Sequence, residues 1–159
     1  MTKAKLCTLL FLIRDDQILL AMKKRGFGAN LWNGVGGKVD AGETVKQALI
    51  RECQEEIGVT PTAFHSVAYL EFINDAAETP WRQHVHVYFC KEWEGEPAES
   101  EEMAPQWFAI ADIPYATMWD DDQIWLPFVL KDKKVRGEFT FDTHDAMTSA
   151  AVQIVPTLP

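Results

Sequence analysis

The chain has 159 residues, of which 47% are hydrophobic and 25% charged, a composition typical of a globular domain with a core of its own. Its formal net charge of −9 argues against a partner held mainly by phosphate-backbone electrostatics, so we expect no polymeric nucleic acid as partner. The apolar run LCTLLFLI is too short to span a bilayer and no small-residue cleavage site follows it, so we predict neither a membrane anchor nor a signal peptide.

In chain order, the predicted elements are strands interrupted by two helices. Strand patterns occupy residues 4–13, 18–23, 65–74, 83–90, 106–110 and 136–141. The glycine-rich segment KKRGFGANLWNGVGGKVDAGE predicts a loop that brings backbone close to a ligand, and a helix over 43–57 follows it. An acidic loop at 94–103, a last helix over 121–132 and a weakly patterned tail from residue 145 come later. This order predicts a single domain over 1–159 with an α/β (α+β) layered fold.

The helix over 43–57 carries carboxylates on its inward side. At about 100° per residue, its core-facing stripe consists of Val45, Ala48, Leu49 and Cys53. Glu52 and Glu56 fall inside that stripe, and Glu55 lies on its border. Carboxylates turned toward protein are costly unless they are paired or bound to a cation, and an all-oxygen ligand set favours Mg²⁺ or Mn²⁺ over zinc. The helix therefore predicts a divalent metal site beside a loop whose N–H groups can bind phosphate.

The stretch from residue 37 to residue 59 resembles the Nudix box. Its matching positions are Gly37, Glu43, Arg51, Glu52, Cys53, Glu55, Glu56, Gly58 and Val59. Further segments, MKKRGFGANLWNGVGGKV, AESEEM and MWDDDQIWLPFVL, resemble those family members that hydrolyse oxidised purine nucleoside triphosphates, and the likeness runs to about residue 141. The resemblance implies a Nudix fold, in which a mixed β-sheet is sandwiched between helices.

The resemblance also implies a catalytic and metal-binding set. Glu52, Glu55, Glu56 and Glu102 would be catalytic, and the same four carboxylates with the Gly37 carbonyl would hold Mg²⁺, or Mn²⁺ in its place. Arg51 would orient the carboxylates of the helix through charge-assisted hydrogen bonds. Glu55, Glu56 and Glu102 all stay open as the general base.

A second set of residues is implied to bind the substrate. It comprises Asn33, Asp121 and Asp122 at the purine edge, Trp119 on the ring, Lys23 and Lys38 at the phosphates, and Thr8, Leu9, Phe27, Phe72, Met103 and Trp125 in the pocket wall. A carboxylic acid that an apolar pocket holds protonated can donate a hydrogen bond to a base carbonyl. Paired aspartates between tryptophans are therefore suited to an oxidised purine.

Several of these residues have simpler interpretations. An aspartate at a helix N-terminus is a common cap, and Trp125 could be a core residue. His84 and His86 share a strand face without an evident third ligand, so we interpret them as strand-face residues rather than a metal site. The 74–83 connection is longer than in the resembling proteins and carries Asn74 where they have an aromatic pocket residue.

Two further differences from those proteins concern the choice of substrate. Asp120 stands where they have proline, and Ile124 replaces an aromatic residue. Oxidised dGTP, oxidised dATP and other purine triphosphates therefore stay open as substrates.

The predicted activity is that of a nucleoside triphosphate pyrophosphohydrolase acting on purine nucleotides of the 8-oxo-dGTP or 2-oxo-dATP type, in nucleotide-pool sanitation and DNA damage prevention. The alternatives are hydrolysis of another nucleotide derivative, such as a dinucleoside polyphosphate or nucleotide sugar, and a non-catalytic nucleotide-binding module. We expect a monomer with a small-molecule partner. Three cysteines, odd in number and widely spaced, favour a reducing compartment, and the predicted location is the cytoplasm.

Overall fold

The computed structural model describes residues 3–159, so the first two residues of the predicted 1–159 domain lie outside the described part. The strands are β1 Lys5–Arg14, β2 Gln17–Lys23, β3 Trp32–Asn33, β4 Thr60–Asn74, β5 Trp81–Glu94, β6 Met103–Ala109, β7 Lys134–Phe141 and β8 Met147–Val155. The helices are α1 Val45–Ile57 and α2 Asp122–Val129, and two short 3₁₀ helices cover Ile110–Asp112 and Tyr115–Thr117.

The strands form a mixed sheet in the order β3-β2-β1-β5-β4-β7-β8, with β6 paired to β2. β1 pairs in parallel with β5, and β4 with β7, whereas the neighbouring pairs are antiparallel. Successive residues of β1 enter different cores: Phe11 packs with Trp125 of α2, and Leu10 packs with Leu49 of α1. The predicted layered fold, a mixed sheet between helices, is therefore confirmed.

Helix α1 begins at Val45 because Thr44 supplies a complete capping box. The Thr44 hydroxyl accepts the Gln47 N–H at 3.1 Å, and the Gln47 side chain accepts the Thr44 N–H at 2.9 Å. The helix ends at Ile57 and is capped by Gly58, whose φ of 71° lies in the left-handed region that glycine adopts without steric cost. The predicted start at residue 43 was wrong by two residues, so Glu43 lies outside the helix.

Other predicted bounds also differ from the structure: β4, β5, β6 and β7 each begin two to five residues before their predicted starts, and the short strand β3 lies in the predicted glycine-rich loop. Helix α2 ends at Val129 rather than 132, because Asp132 has a φ of 63° and turns the chain away. The weakly patterned tail from residue 145, for which no element was predicted, contains β8, an edge strand on β7. Most β8 side chains are exposed, so this strand has no buried face to produce an alternating apolar pattern.

The longer of the two helices, α1, has 13 residues. Within residues 3–159, no helix has the length and apolar character needed to cross a membrane.

Candidate active site

A cavity of about 390 Å³ lies between the glycine-rich loop, the first residues of β1 and β5, and the segment that begins α2. All the residues predicted to bind the substrate line it, although they are spread over much of the chain. They are Thr8, Leu9, Lys23, Phe27, Asn33, Lys38, Phe72, Met103, Trp119, Asp121, Asp122 and Trp125. Their roles in binding stay predictions, but the fold gathers them around one space.

The cavity also has lining residues that the sequence analysis missed. They include Lys5, Cys7, Trp81, Gln83 and Phe141. The two-residue period of β1 could have indicated Lys5 and Cys7, because they share a strand face with Leu9. Trp81 and Phe141 gave no local signal, since their positions depend on strand pairings between distant segments.

Asn74, which stands where the resembling proteins have an aromatic pocket residue, is not among the residues lining the cavity. Its side chain is fully buried and bonds to the turns on either side of it. The Asn74 amide therefore does not replace, in the pocket wall, the aromatic side chain that the resembling proteins have at this position.

Polar atoms without partners point to where a ligand would bind in the cavity. Among the described residues, Thr8 Oγ1 and Asp122 Oδ2 are buried without a hydrogen-bond partner. The side-chain oxygen Oδ1 of Asn33 accepts the Gly34 N–H at 2.8 Å, which orients the side-chain amide of Asn33. Because unsatisfied buried polar atoms are costly, these atoms favour a ligand that supplies matching donors and acceptors.

Asp121 and Asp122 are buried rather than acting as exposed helix caps. The Asp121 side chain makes no capping hydrogen bond, and its Oδ2 instead accepts the Trp125 indole N–H at 2.8 Å. Burial raises the pKa of Asp121 to about 6, while the Trp125 hydrogen bond lowers it. Burial, followed by the charge of Asp121, raises the pKa of Asp122 well above its ordinary value. Burial therefore disfavours the ionised form of both carboxyl groups of the pair.

This raised pKa predicts a dependence of stability on pH that Asp121→Asn removes. Because the folded-state pKa of Asp121, about 6, exceeds its ordinary value of 3.8, the folded state binds the proton more tightly than the unfolded state. The contribution to the free energy of unfolding is thus fully present below pH 3.8 and is lost as pH rises through about 6. We expect the stability of Asp121→Asn, relative to the wild type, to increase between pH 4 and 7 in urea denaturation. Parallel pH profiles for the two proteins would contradict the assigned shift.

Arg51 connects the glycine-rich loop to the carboxylates of α1. Its guanidinium donates to Glu43 from Nε at 2.6 Å, to Glu52 at 2.9 Å and to Glu55 at 3.3 Å. It also donates to the Lys38 carbonyl at 3.1 Å. The predicted orienting role of Arg51 is therefore confirmed, and its hydrogen bonds are the main reason why the pKa of Glu43 is lowered to about 2.

The helix carboxylates differ in exposure along α1. Glu56 is only 4% exposed, whereas the side chains of Glu52 and Glu55 are 17% and 59% exposed. Burial, followed by a hydrogen bond and the charge of Glu52, and then the charge of Glu102, raises the pKa of Glu56 to about 9. The inward direction predicted for Glu56 is therefore correct, and Glu55 lies further outward than Glu52.

These carboxylates fit a divalent cation. Within the described residues, Glu56 Oε2 has no hydrogen-bond partner, and a cation would satisfy it while holding Glu56 ionised against Glu52 and Glu102. The donors are all oxygens, the type that hard divalent ions prefer. Residues 3–159 contain no group of three or more acidic, His or Cys side chains already arranged to hold a metal, so the full predicted set stays a prediction.

The loop at Gly36 and Gly37 passes too close to its neighbours for any side chain. A Cβ on Gly36 would lie 1.9 Å from the Thr8 carbonyl oxygen, and one on Gly37 would lie 2.6 Å from the Glu52 carboxyl carbon. The Gly37 carbonyl accepts the Thr8 N–H at 2.9 Å, which leaves its second lone pair for a ligand. Glycine at position 36 therefore lets the loop lie against β1, and glycine at position 37 lets it lie against the carboxylates of α1.

His84 and His86 lie away from this site. The Tyr69 hydroxyl and His84 Nδ1 are 2.9 Å apart, and the Tyr69 and His86 rings are 5.0 Å apart. No metal-ligand group of the described residues includes them. Their interpretation as residues of a strand face agrees with these contacts.

The fold and the carboxylate-bearing helix define the class of this protein. The NUDIX domain model matches residues 4–129, and the chain belongs to that family. The hydrolases of the family generally need divalent metal ions.

Named relatives cover nearly the whole chain. It is 46% identical over 147 residues to the oxidized purine nucleoside triphosphate hydrolase of Danio rerio, covering 92% of this chain and 93% of that protein. It is 41% identical over 155 residues to the protein of the same name from Mus musculus, with 98% of both chains covered.

Solved structures share the fold. The mMutator MutT protein from Bacillus halodurans superposes with a TM-score of 0.83 at 23% identity, covering 94% of this chain and 97% of that one. The MutT NUDIX hydrolase from Burkholderia pseudomallei gives 0.64 at 30% identity, covering 79% of this chain and 97% of that one.

Proposed function

We propose that this protein hydrolyses oxidised purine nucleoside triphosphates, of the 8-oxo-dGTP or 2-oxo-dATP type, to the nucleoside monophosphate and pyrophosphate in the presence of Mg²⁺. The names of the relatives from Danio rerio and Mus musculus support this substrate class. The activity would remove damaged precursors from the nucleotide pool before they enter DNA.

One observation carries the proposal. The cavity that contains the buried pair Asp121 and Asp122 also reaches Gly37 and Lys38, which adjoin the carboxylates of α1. A purine bound at the aspartates would thus extend its phosphates toward the predicted metal ligands. A base site and a hydrolytic site in one continuous space favour a nucleotide hydrolase over a binding module.

Each part of the site has a defined task in this reaction. Protonated Asp122 donates to a purine acceptor while Asp121, held by Trp125, offers an acceptor to a purine N–H. Lys23 and Lys38, which line the same cavity, neutralise phosphate charge.

The hydrolytic end of the site depends on α1. Glu52, Glu55, Glu56 and Glu102, with the Gly37 carbonyl, would hold the cation, and Arg51 fixes the directions of Glu52 and Glu55. When bound by these residues, a divalent cation would lower the pKa of water and neutralise charge on the phosphate oxygens. Water would attack a phosphorus atom of the triphosphate while one of Glu55, Glu56 and Glu102 accepts its proton, and the P–O bond between the α- and β-phosphates would break to give the nucleoside monophosphate and pyrophosphate.

A nucleotide panel tests the proposal. Purified protein with Mg²⁺ is given 8-oxo-dGTP, 2-oxo-dATP, the unmodified purine and pyrimidine triphosphates, a dinucleoside polyphosphate and a nucleotide sugar. The nucleotide products are separated and quantified, and the released pyrophosphate and phosphate are measured separately. We expect pyrophosphate release with the highest kcat/KM for an oxidised purine triphosphate. A higher kcat/KM for the polyphosphate or the sugar would replace the proposal with that activity, and no turnover of any nucleotide would leave a binding module.

The choice of metal is tested on the same substrate. Mg²⁺ sites in proteins usually consist of a few carboxylates and the phosphates of the substrate. We therefore expect Mg²⁺ to restore activity after chelation, and Mn²⁺ to substitute for it. Activity restored by Zn²⁺ alone would contradict the all-oxygen ligand set.

We further infer that residues 1–159 form one domain, which acts as a monomer in the cytoplasm. Two core clusters on opposite faces of one sheet support the single domain. The three cysteines, all in the described part of the chain, are free thiols, which supports a reducing compartment. Light scattering of the purified protein at several concentrations tests the monomer.

A further inference from the structure

Trp81 brings an indole ring to the cavity from a segment that the sequence analysis read as a connection. It is the first residue of β5 and lies opposite Asn74, the last residue of β4. Gln83 and Val85 follow it at two-residue spacing and line the same cavity. The start of β5 therefore forms part of the wall, with Trp81 at its outer end.

Four aromatic side chains pack against one another at this end of the cavity, each in contact with two of the others. The ring centroids of Phe27 and Trp81 are 5.7 Å apart, and those of Trp81 and Phe141 are also 5.7 Å apart. The ring centroids of Phe141 and Trp119 are 6.4 Å apart, and those of Trp119 and Phe27 are 5.1 Å apart. Each ring thus contacts two others, and all four line the cavity; we call this set the aromatic rim.

The buried Asn74 amide joins the chain segments that carry two of these rings. Its Nδ2 donates to the Asp142 carbonyl at 2.8 Å and to Asp145 Oδ1 at 2.9 Å, in the turn that follows Phe141. Its Oδ1 accepts the N–H groups of Ala76 and Ala77, at 3.2 and 2.9 Å, in the connection that leads to Trp81. These contacts use both donors and both lone pairs of the amide, so Asn74 is a clamp and not a ligand-binding group.

We propose that Trp81 is a specificity-determining residue that, as part of the aromatic rim, selects bicyclic purine nucleotides over monocyclic pyrimidine nucleotides, and that Asn74 is the residue that positions it. This inference rests on the proposed function, because it takes the cavity as the site of the base. An aromatic side chain stabilises a base by stacking, which depends on the area of ring that is covered. The larger purine gains more from this contact than a pyrimidine does.

The matched variants Trp81→Leu and Trp81→Phe test the ring itself. Both keep an apolar side chain, but only phenylalanine keeps an aromatic face. We expect Trp81→Leu to weaken the binding of 8-oxo-dGMP by about tenfold and that of dCMP by no more than about twofold, and Trp81→Phe to stay within about threefold of the wild type for both. Calorimetric titration without metal measures all the dissociation constants, and melting temperatures show that the variants are folded.

Steady-state kinetics give a second readout. Because the rim lies at the base end of the cavity, Trp81→Leu should raise KM for the oxidised purine triphosphate by a similar factor and leave kcat within about twofold. Equal effects of leucine and phenylalanine, equal weakening of both nucleotides, or a fall in kcat at constant KM would each overturn the assignment.

The clamp is tested by a double-mutant cycle. Asn74→Ala should weaken 8-oxo-dGMP binding several-fold in the wild type but by less than about twofold in Trp81→Leu, because its effect passes through the indole. Asn74→Asp, which keeps the oxygen acceptors and loses the donors, serves as a second variant. The same loss in both backgrounds would show that Asn74 does not act through Trp81.

Failure of the proposed function is distinguishable from failure of this inference. The binding experiment uses monophosphates and needs no turnover. If the wild type hydrolyses no triphosphate but Trp81→Leu still lowers the binding preference for the purine, the proposed function is wrong and the role of Trp81 stands. If the wild type hydrolyses oxidised purine triphosphates but Trp81→Leu leaves the binding preference unchanged, the proposed function stands and the role of Trp81 is wrong.

Discussion

Replacing Glu56 by glutamine is expected to lower kcat/KM by at least about 1,000-fold, which corresponds to about 4 kcal/mol of transition-state stabilisation. Glutamine has nearly the same shape but cannot provide the negative charge that a divalent cation requires. Glu56 is also the most deeply buried carboxylate of α1, with an oxygen that lacks a partner among the described residues. Pyrophosphate release over a range of Mg²⁺ concentrations measures the effect.

The same variant should not lose stability, which separates loss of metal binding from loss of the fold. The folded-state pKa of Glu56 is about 9 against an ordinary 4.5, so the wild type loses stability as pH rises through this interval. Glutamine does not ionise, and in the absence of metal we expect the melting temperature of Glu56→Gln to exceed that of the wild type by an amount that increases with pH. Near-normal turnover in this variant would refute the assignment of Glu56 to the metal.

Glu101→Gln is the matched control for this change. Glu101 lies beside the predicted ligand Glu102, but its side chain is 92% exposed and contacts only Arg25, at 3.8 Å, among the ion pairs of the described residues. The same change of charge at this position should leave kcat/KM within about twofold, because exposed ion pairs contribute little.

The second large effect is expected from Asp121→Asn on the discrimination between oxidised and unmodified purines. Asparagine retains an oxygen for the Trp125 N–H, so the pocket should keep its shape, but it cannot ionise as Asp121 does near pH 6. A hydrogen bond to a charged group contributes about 1.5–3 kcal/mol, so the ratio of kcat/KM for 8-oxo-dGTP over dGTP should fall by about 10- to 100-fold. The kcat for the best substrate should change much less.

Asp120→Asn provides the control within the same acidic run. Asp120 is exposed and does not line the cavity, so its change should leave both the ratio and the turnover near wild-type values. If Asp121→Asn instead reduces kcat/KM equally for every base, Asp121 supports the structure of the pocket through Trp125 and does not contact the base.

Local patterns predicted the parts of the fold that have one buried face. The helical period of residues 43–57 predicted α1, although its start was wrong by two residues, and the inward direction of Glu56, because burial of a stripe leaves a trace in the spacing of apolar residues. Strand β8 left no such trace, since most of its side chains are exposed and its backbone hydrogen bonds hold it to β7. The end of α2 was also missed, because a single positive φ at Asp132 decides it.

The sequence by itself determined the family, and it named candidate site residues whose roles in catalysis, metal binding and substrate binding stay predictions. The motif from Gly37 to Val59 contains the carboxylates, the arginine and the glycines at fixed spacing, and the cavity contains all the residues expected to bind the substrate. The helix carboxylates could be inferred because helix periodicity and motif spacing act over short distances along the chain, whereas the dispersed cavity residues were inferred from the family resemblance.

Only the tertiary structure decided which side chains complete the pocket. Trp81 and Phe141 join the aromatic rim because β4 pairs with both β5 and β7, and Asn74 is a clamp because two turns meet around it. The raised pKa values of Asp121 and Glu56 likewise arise from burial by distant segments of the chain. How deeply a particular side chain is buried by distant segments, and how two strands are aligned, depend on the whole fold, so the spacing of residues along the chain does not specify them.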